Sequence, residues 1–262
     1  MVGVMISLAL KMGRAGIHDY WDDADRWIRN HFAESQLTSP ELIQRIANRS
    51  PSRPVAWNET ADHVAERNVG AFAGWSTGND WVTKIGIMHC CTGNCSRALY
   101  HIWEHILDHD GDVLRVNLLL NRASKWADVY SYIPYEGRVD LKIKTQCKRV
   151  LLRAPEWINT GSSEVTCVVK GVPRRLRWEG RYANLGEAKP GEVLVVTLPI
   201  SERTRKEKIG VANYTLVIKG NTVVSIDPAG ENGPLYQRAQ YRANQAQWRR
   251  VRRFIAEESL AW

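Results

Sequence analysis

The chain has 262 residues, of which 44% are hydrophobic and 24% charged, and its formal net charge is +8. This is the composition of a globular protein with a sizeable core, in one large domain or two ordinary ones, and five cysteines without regular spacing argue against a disulfide scaffold. The positive charge gathers at Arg203, Arg205, Lys206 and Lys208 and again at Arg249, Arg250, Arg252 and Arg253; neither run carries a zinc-finger, basic-zipper or RNA-recognition pattern, so both read as solvated faces and no nucleic-acid partner is expected.

In chain order, the apolar run Val2 to Leu10 lacks a basic leader and a cleavage site and is too short to span a bilayer. It predicts a helix over 2–14 that is hydrophobic nearly all round and expects cover on most sides. No membrane partner is expected, and the cytoplasm is favoured slightly. Gly16 ends this helix, and Asp19 is placed to cap a second one, with Asp22 and Asp23 near its positive end. Tyr20, Ala24, Trp27, Ile28 and His31 recur at helical spacing and complete an αα-hairpin. One short helix is expected between Thr38 and Arg53, before Pro51 and Pro54 break the pattern. Residues 68–81 are rich in glycine, aromatics and small polar groups; such a loop can bring backbone and rings close to a ligand, and it can equally be a packed connection.

Met88 to Tyr100 then holds three of the five cysteines, a histidine and a glycine turn, just ahead of an amphipathic helix lined by Leu99, Ile102, Trp103 and Ile106 and ending near Gly111. Beyond it the period changes to two. Short runs at 113–120, 129–133, 137–144, 149–154, 164–170, 174–178, 192–199, 214–219 and 222–226, separated by turn residues, predict an antiparallel sandwich. Residues 237–257 read as partly helical.

Adjacent cysteines are poorly suited to bonding each other but well suited to sharing one zinc ion, which prefers sulfur and nitrogen donors in a tetrahedron. His89 could add a nitrogen. Buried, chemically silent cysteines are the alternative. Eleven tryptophans against three phenylalanines fit carbohydrate surfaces, with C–H faces and hydroxyls side by side, and fit ordinary cores as well.

The run Val69-Gly70-Ala71-Phe72-Ala73-Gly74-Trp75, followed by Asn79-Asp80, His89-Cys90-Cys91-Thr92-Gly93-Asn94, Ser96-Arg97-Ala98-Leu99-Tyr100 and Trp103-Glu104, resembles glycoside hydrolase family 127, the β-L-arabinofuranosidase-like proteins. Asp19 to Asp23, Val116-Asn117-Leu118, Pro134 to Gly137, Arg153 to Trp157 and Arg253 to Trp262 extend the resemblance over nearly the whole chain. It implies a mixed α then β fold: the C-terminal remnant of an (α/α)6 barrel over 1–110, followed by an antiparallel β-sandwich over 111–262. It also implies retaining hydrolysis of L-arabinofuranosides or related sugars by a zinc-bound thiolate in place of the attacking carboxylate. By match to the motif, Cys90 is the nucleophile and a zinc ligand, Cys91 a second ligand, and His89, Asn79 and Trp75 are candidate substrate contacts.

Cys95 departs from the pattern, since relatives commonly have glycine there. Two larger departures concern a Glu-x-Cys element that supplies the remaining zinc ligands and an upstream acid/base glutamate, neither of which matches anything in this sequence. The acid/base is therefore unassigned, with Glu34, Glu59, Glu66 and Glu104 as the local glutamates. The chain is accordingly expected to lack an N-terminal half and to be weakly active or inactive alone. The partner implied is a carbohydrate, in particular an arabinose-containing glycan. The competing reading is a non-catalytic carbohydrate-binding or structural β-sandwich protein.

Overall fold

The computed structural model describes residues 2–49, 53–82, 86–161 and 163–244. The basic cluster Arg249 to Arg253, the motif Arg253 to Trp262 and most of the helix expected over 237–257 lie outside the described residues, as does Pro51. Within them, helices come first and mostly antiparallel sheets follow.

Helix α1 (Val2–Arg14) forms where expected and buries Gly3, Ile6, Ser7, Ala9 and Leu10, while Val4, Met5 and Leu8 stay exposed on its other side. Gly16, at φ +70°, takes the left-handed turn that ends it. Helix α2 (Trp21–Trp27) begins one residue later than a cap at Asp19 requires: Tyr20 holds the cap position, and Asp19 instead accepts from the Trp21 N–H at 3.3 Å and faces Arg153. The stripe continues through a π-helical turn, Ile28–Phe32. Such a turn frees backbone carbonyls, and two side chains answer them: Asn30 donates to Arg26 O at 2.7 Å and Arg238 to Arg29 O at 2.7 Å. Helices α3 (Glu41–Asn48) and α4 (Val64–Arg67) are short.

Helix α5 (His89–Ile106) differs from expectation at both ends. It starts inside the cysteine run, so Gly93 is helical rather than a turn. It stops at Ile106 because Leu107–Asp110 pairs as strand β1 with β2 (Val113–Val116) around Gly111. Leu99 is 43% exposed; the face turned inward carries Cys95, Ala98, Ile102 and Ile106. Gly3 lets α1 lie against it, since a Cβ there would stand 3.0 Å from Asn94 O and 3.2 Å from Ala98 Cβ.

Strands β3 (Ala127–Ser131), β4 (Arg138–Ile143), β5 (Cys147–Arg153), β6 (Thr166–Val169), β7 (Val172–Arg174), β8 (Arg177–Glu179), β9 (Tyr182–Ala188) and β10 (Val193–Thr197) complete two five-stranded sheets, ordered β1-β2-β5-β9-β8 and β3-β4-β10-β6-β7. Only the β2–β5 pairing is parallel among these ladders. The run expected over 174–178 is two strands in different sheets. The alternating residues of both sheets, among them Leu114, Val150 and Leu152 from one and Leu141, Val169 and Leu194 from the other, share a core with α1, α2 and α5. Strands β11 (Glu202–Ile209), β12 (Ala212–Lys219) and β13 (Thr222–Asp227) form a separate sheet over a second core of Leu37, Trp81, Tyr214, Ile226, Leu235 and Tyr236. The basic run Arg203 to Lys208 lies on β11, an exposed edge strand, as a solvated face should. No helix among the described residues is long and apolar enough to cross a membrane.

Candidate functional site

The first turn of α5 carries the candidate site. Met88 is extended and His89 opens the helix, so Cys90 and Cys91 occupy positions whose backbone N–H groups point out of the helix end. Cys90 is exposed, Cys91 half-buried, and their sulfurs lie 3.8 Å apart. A helix N-terminus favours thiolate; at Cys91 burial opposes it, and together with the hydrogen bond to Cys90 raises the pKa above the ordinary thiol value.

The loop of residues 72–76 is latched to this turn. The Phe72 N–H donates to Thr92 Oγ1 at 3.1 Å, Gly74 N–H donates to Gly86 O at 3.1 Å, and Cys91 Sγ lies 3.9 Å from Gly74 O. Glycine at position 74 lets the Met88 side chain lie against the loop, since a Cβ there would stand 2.6 Å from Met88 Sδ and the methionine would have to move. Trp75 therefore sits one residue from the carbonyl that touches Cys91 and is 59% exposed. His89 is exposed at the first helical position. Asn79 is placed otherwise: its amide donates to Pro228 O at 3.0 Å and accepts from Thr77 Oγ1 at 3.1 Å, tying the loop to the segment after β13. Asp80 beside it accepts from the Glu231, Asn232 and Gly233 N–H groups at 3.0, 3.0 and 2.6 Å. Burial works against its charge, yet those donors hold its carboxyl below the usual range. Thr92 and Met88 stand in the run singled out from the sequence but were given no role there; only the glycine at 74, in a run of small residues, signalled a close approach.

Cys95 is buried against α1, and burial pushes its thiol pKa up. It is a core residue on the inward face of α5.

Two thiolates on one tetrahedral zinc, each at about 2.3 Å, stand about 3.8 Å apart, which is the separation found for Cys90 and Cys91. The pair thus fits half of such a site. Among the described residues no group of three or more His, Cys, Asp or Glu side chains is arranged to hold a metal.

The four glutamates are engaged elsewhere. Glu34 binds Arg238 and the Tyr236 N–H, Glu59 pairs with Arg53 at 2.8 Å, and Glu66 accepts from Gln44 at 2.8 Å. Glu104 lies 3.6 Å from His101 and 3.9 Å from Arg14. Fourteen residues along α5 separate it from Cys90, about 21 Å at 1.5 Å per residue, well beyond the roughly 5–9.5 Å between the two reacting groups of a glycosidase.

No family model matches the chain. No curated protein matches it either. Among solved structures, it is similar to a GH127 β-L-arabinofuranosidase from Geobacillus stearothermophilus T6, at 17% identity and a TM-score of 0.46 over 78% of this chain and 32% of that one. A structure described as a GH127 β-arabinofuranosidase gives 18% and 0.48 over 78% and 32%, and one described as a glycoside hydrolase gives 14% and 0.46 over 78% and 33%. The chain spans about a third of the length of each. At that identity and score the likeness assigns neither a family nor a chemistry to this chain.

Proposed function

We propose that this chain carries the thiol half of a glycosidase site of the family 127 kind, and that its helices belong to an (α/α)6 barrel. The observation that carries the reading is the pair Cys90 and Cys91, 3.8 Å apart on the first turn of α5 beside the latched loop that presents Trp75. The resemblance of the motif around them to that family supports it. Cys90, the exposed sulfur, is the one a sugar can reach, and its role is attack on the anomeric carbon of an L-arabinofuranoside or related sugar. Zinc, when bound, would keep the thiols deprotonated. Cys90 and Cys91 would hold it, with the remaining ligands and the acid/base supplied by polypeptide outside these 262 residues. Trp75 offers a ring face to the sugar, and His89 stands next to the pair.

Cobalt(II) titration of the full chain tests the metal half of this reading. Sulfur-to-cobalt absorption should appear with weak affinity and vanish in Cys90→Ser and in Cys91→Ser; an unchanged spectrum in both variants would remove the pair from any metal site. Turnover of an aryl β-L-arabinofuranoside by the chain alone should be slight. Strong turnover that survives Glu-to-Gln changes at 34, 59, 66 and 104 would show the acid lies elsewhere in the chain.

The second reading, a non-catalytic carbohydrate-binding or structural protein, is favoured by one observation: each of the four glutamates named above is engaged with a partner other than the thiols. Sugar binding that is unchanged in the Cys90→Ser, Cys91→Ser double variant, with no cobalt absorption in the parent, would favour it.

A further inference from the structure

Helices α1 and α5 lie side by side from Gly3, against Ala98, to Arg14, beside Glu104. Between their second halves opens a cleft of about 710 Å³, lined by Lys11 and Arg14 of α1 and by Arg97, Tyr100, His101 and Glu104 of α5. Three cations thus meet one carboxylate. Arg14 stands 3.9 Å from Glu104 and 3.5 Å from Asp108 and is half-exposed, so its charge is only partly answered. Arg97 donates to the neutral amide oxygen of Asn94 at 3.0 Å, and among the described residues neither it nor Lys11 is paired with a carboxylate.

The remaining walls suit a ring with hydroxyls. Tyr100 is half-buried, its ring 6.1 Å from that of Trp103 and 5.7 Å from that of His101, which fixes its orientation at the cleft. His101 Nδ1 is buried 3.6 Å from Glu104 Oε2 and makes no hydrogen bond among the described residues. The volume lies within the range of small-ligand sites. Arg97 follows Cys90 by seven residues, almost two full turns, so the two share one face of α5 about 10 Å apart along its axis.

We propose that this cleft is a subsite for an acidic sugar, whose carboxylate lies among Lys11, Arg14 and Arg97 and whose ring rests against Tyr100. The inference rests on the reading of the chain as a carbohydrate-processing protein and adds a substrate class to it: glycans with a uronic-acid unit about 10–20 Å along α5 from the sugar that meets Cys90. Guanidinium groups match a planar carboxylate with paired N–H donors, and an aromatic face takes the C–H side of the ring.

Calorimetric titration of the full chain with D-galacturonate, D-galactose, an aryl β-L-arabinofuranoside and inorganic phosphate tests it. Galacturonate should bind at least tenfold more tightly than galactose and no more weakly than phosphate, with affinity falling as salt is raised. Lys11→Gln with Arg97→Gln, both exposed positions whose variant should keep its circular dichroism and Tm, should lower galacturonate affinity more than tenfold. Phosphate binding more tightly than galacturonate would reduce the cleft to an anion site and overturn the proposal. Arabinoside or galactose binding with galacturonate no tighter would overturn it while sparing the broader reading; no sugar binding at all would also overturn it, and the cobalt titration then decides the broader reading separately.

Discussion

Arg153 on β5 is the point at which the helical part is fastened to the sheets, and replacing it by methionine should unfold the protein more readily than any surface change. Its side chain is 3% exposed; Nη2 donates to Asp19 at 2.7 and 2.8 Å and lies 2.7 Å from Asp22 Oδ2. Burial opposes the charge, but the two aspartates outweigh it and hold the guanidinium above its ordinary pKa. Asp22, itself 1% exposed, also accepts from the Glu156 N–H at 2.9 Å and from Asn221 Nδ2 at 3.1 Å, and Asn221 goes on to Asp25 at 2.9 Å. Removing the arginine leaves a buried carboxylate without its cation, which costs about 3–5 kcal/mol in comparable pairs. The two remaining donors to Asp22 place the loss near the lower end, about 3 kcal/mol, or a fall in Tm of about 6–12 °C for a chain of this size. Urea unfolding followed by circular dichroism at pH 7 measures it. The companion variant Asp22→Asn and the double variant complete a cycle, in which the double should lose clearly less than the two singles together, because the charge left alone in each single is gone. A loss below about 1 kcal/mol for Arg153→Met, or additivity around the cycle, would mean that the network is not a buried charge pair.

The thiols should divide into two classes: Ellman's reagent should titrate Cys90 and Cys91 in the native protein and all five cysteines in guanidinium, since Cys95, Cys147 and Cys167 are buried and burial pushes the Cys167 thiol up to about 11. Fast native reaction of Cys167 would contradict the packing of β6. Asp80 predicts an acid-side stability loss: its pKa is depressed on folding, so its contribution is present above the unfolded value, about 3.9, and disappears as pH falls through the lower folded value. Tm profiles from pH 6 to pH 2 should therefore show a shallower acid decline for Asp80→Asn than for the parent, and parallel profiles would exclude the effect. Gly137→Ala should be severely destabilising, by about 3 kcal/mol or more, because the added Cβ would stand 1.8 Å from Leu198 O; a soluble variant with the parent's Tm would show that the β4–β10 junction can yield.

The apolar helical stripes and the period-two runs determined which segments are α1, α2, α5 and most of the strands, since burial of one face imposes those periods on the sequence itself. Cys90, Cys91 and Trp75 were legible for a related reason: a double cysteine and a glycine-aromatic loop are local features. Three strands were not legible. β11 is built almost wholly of charged residues with no face to bury, β9 contains Gly186 and little β-branched sequence, and β1 continues the helix α5 without a break. Each is a strand because a neighbour supplies its hydrogen bonds, β12 for β11, β5 and β8 for β9, β2 for β1, and no window of sequence contains that partner. The same holds at the site. The sequence by itself determined that two thiols stand next to each other. Only the tertiary structure decided that they open a helix, that the loop at 72–76 is latched to that turn through Thr92 and Met88, and that Asn79 answers to Pro228 and Glu34 to Arg238, because those contacts join residues far apart along the chain.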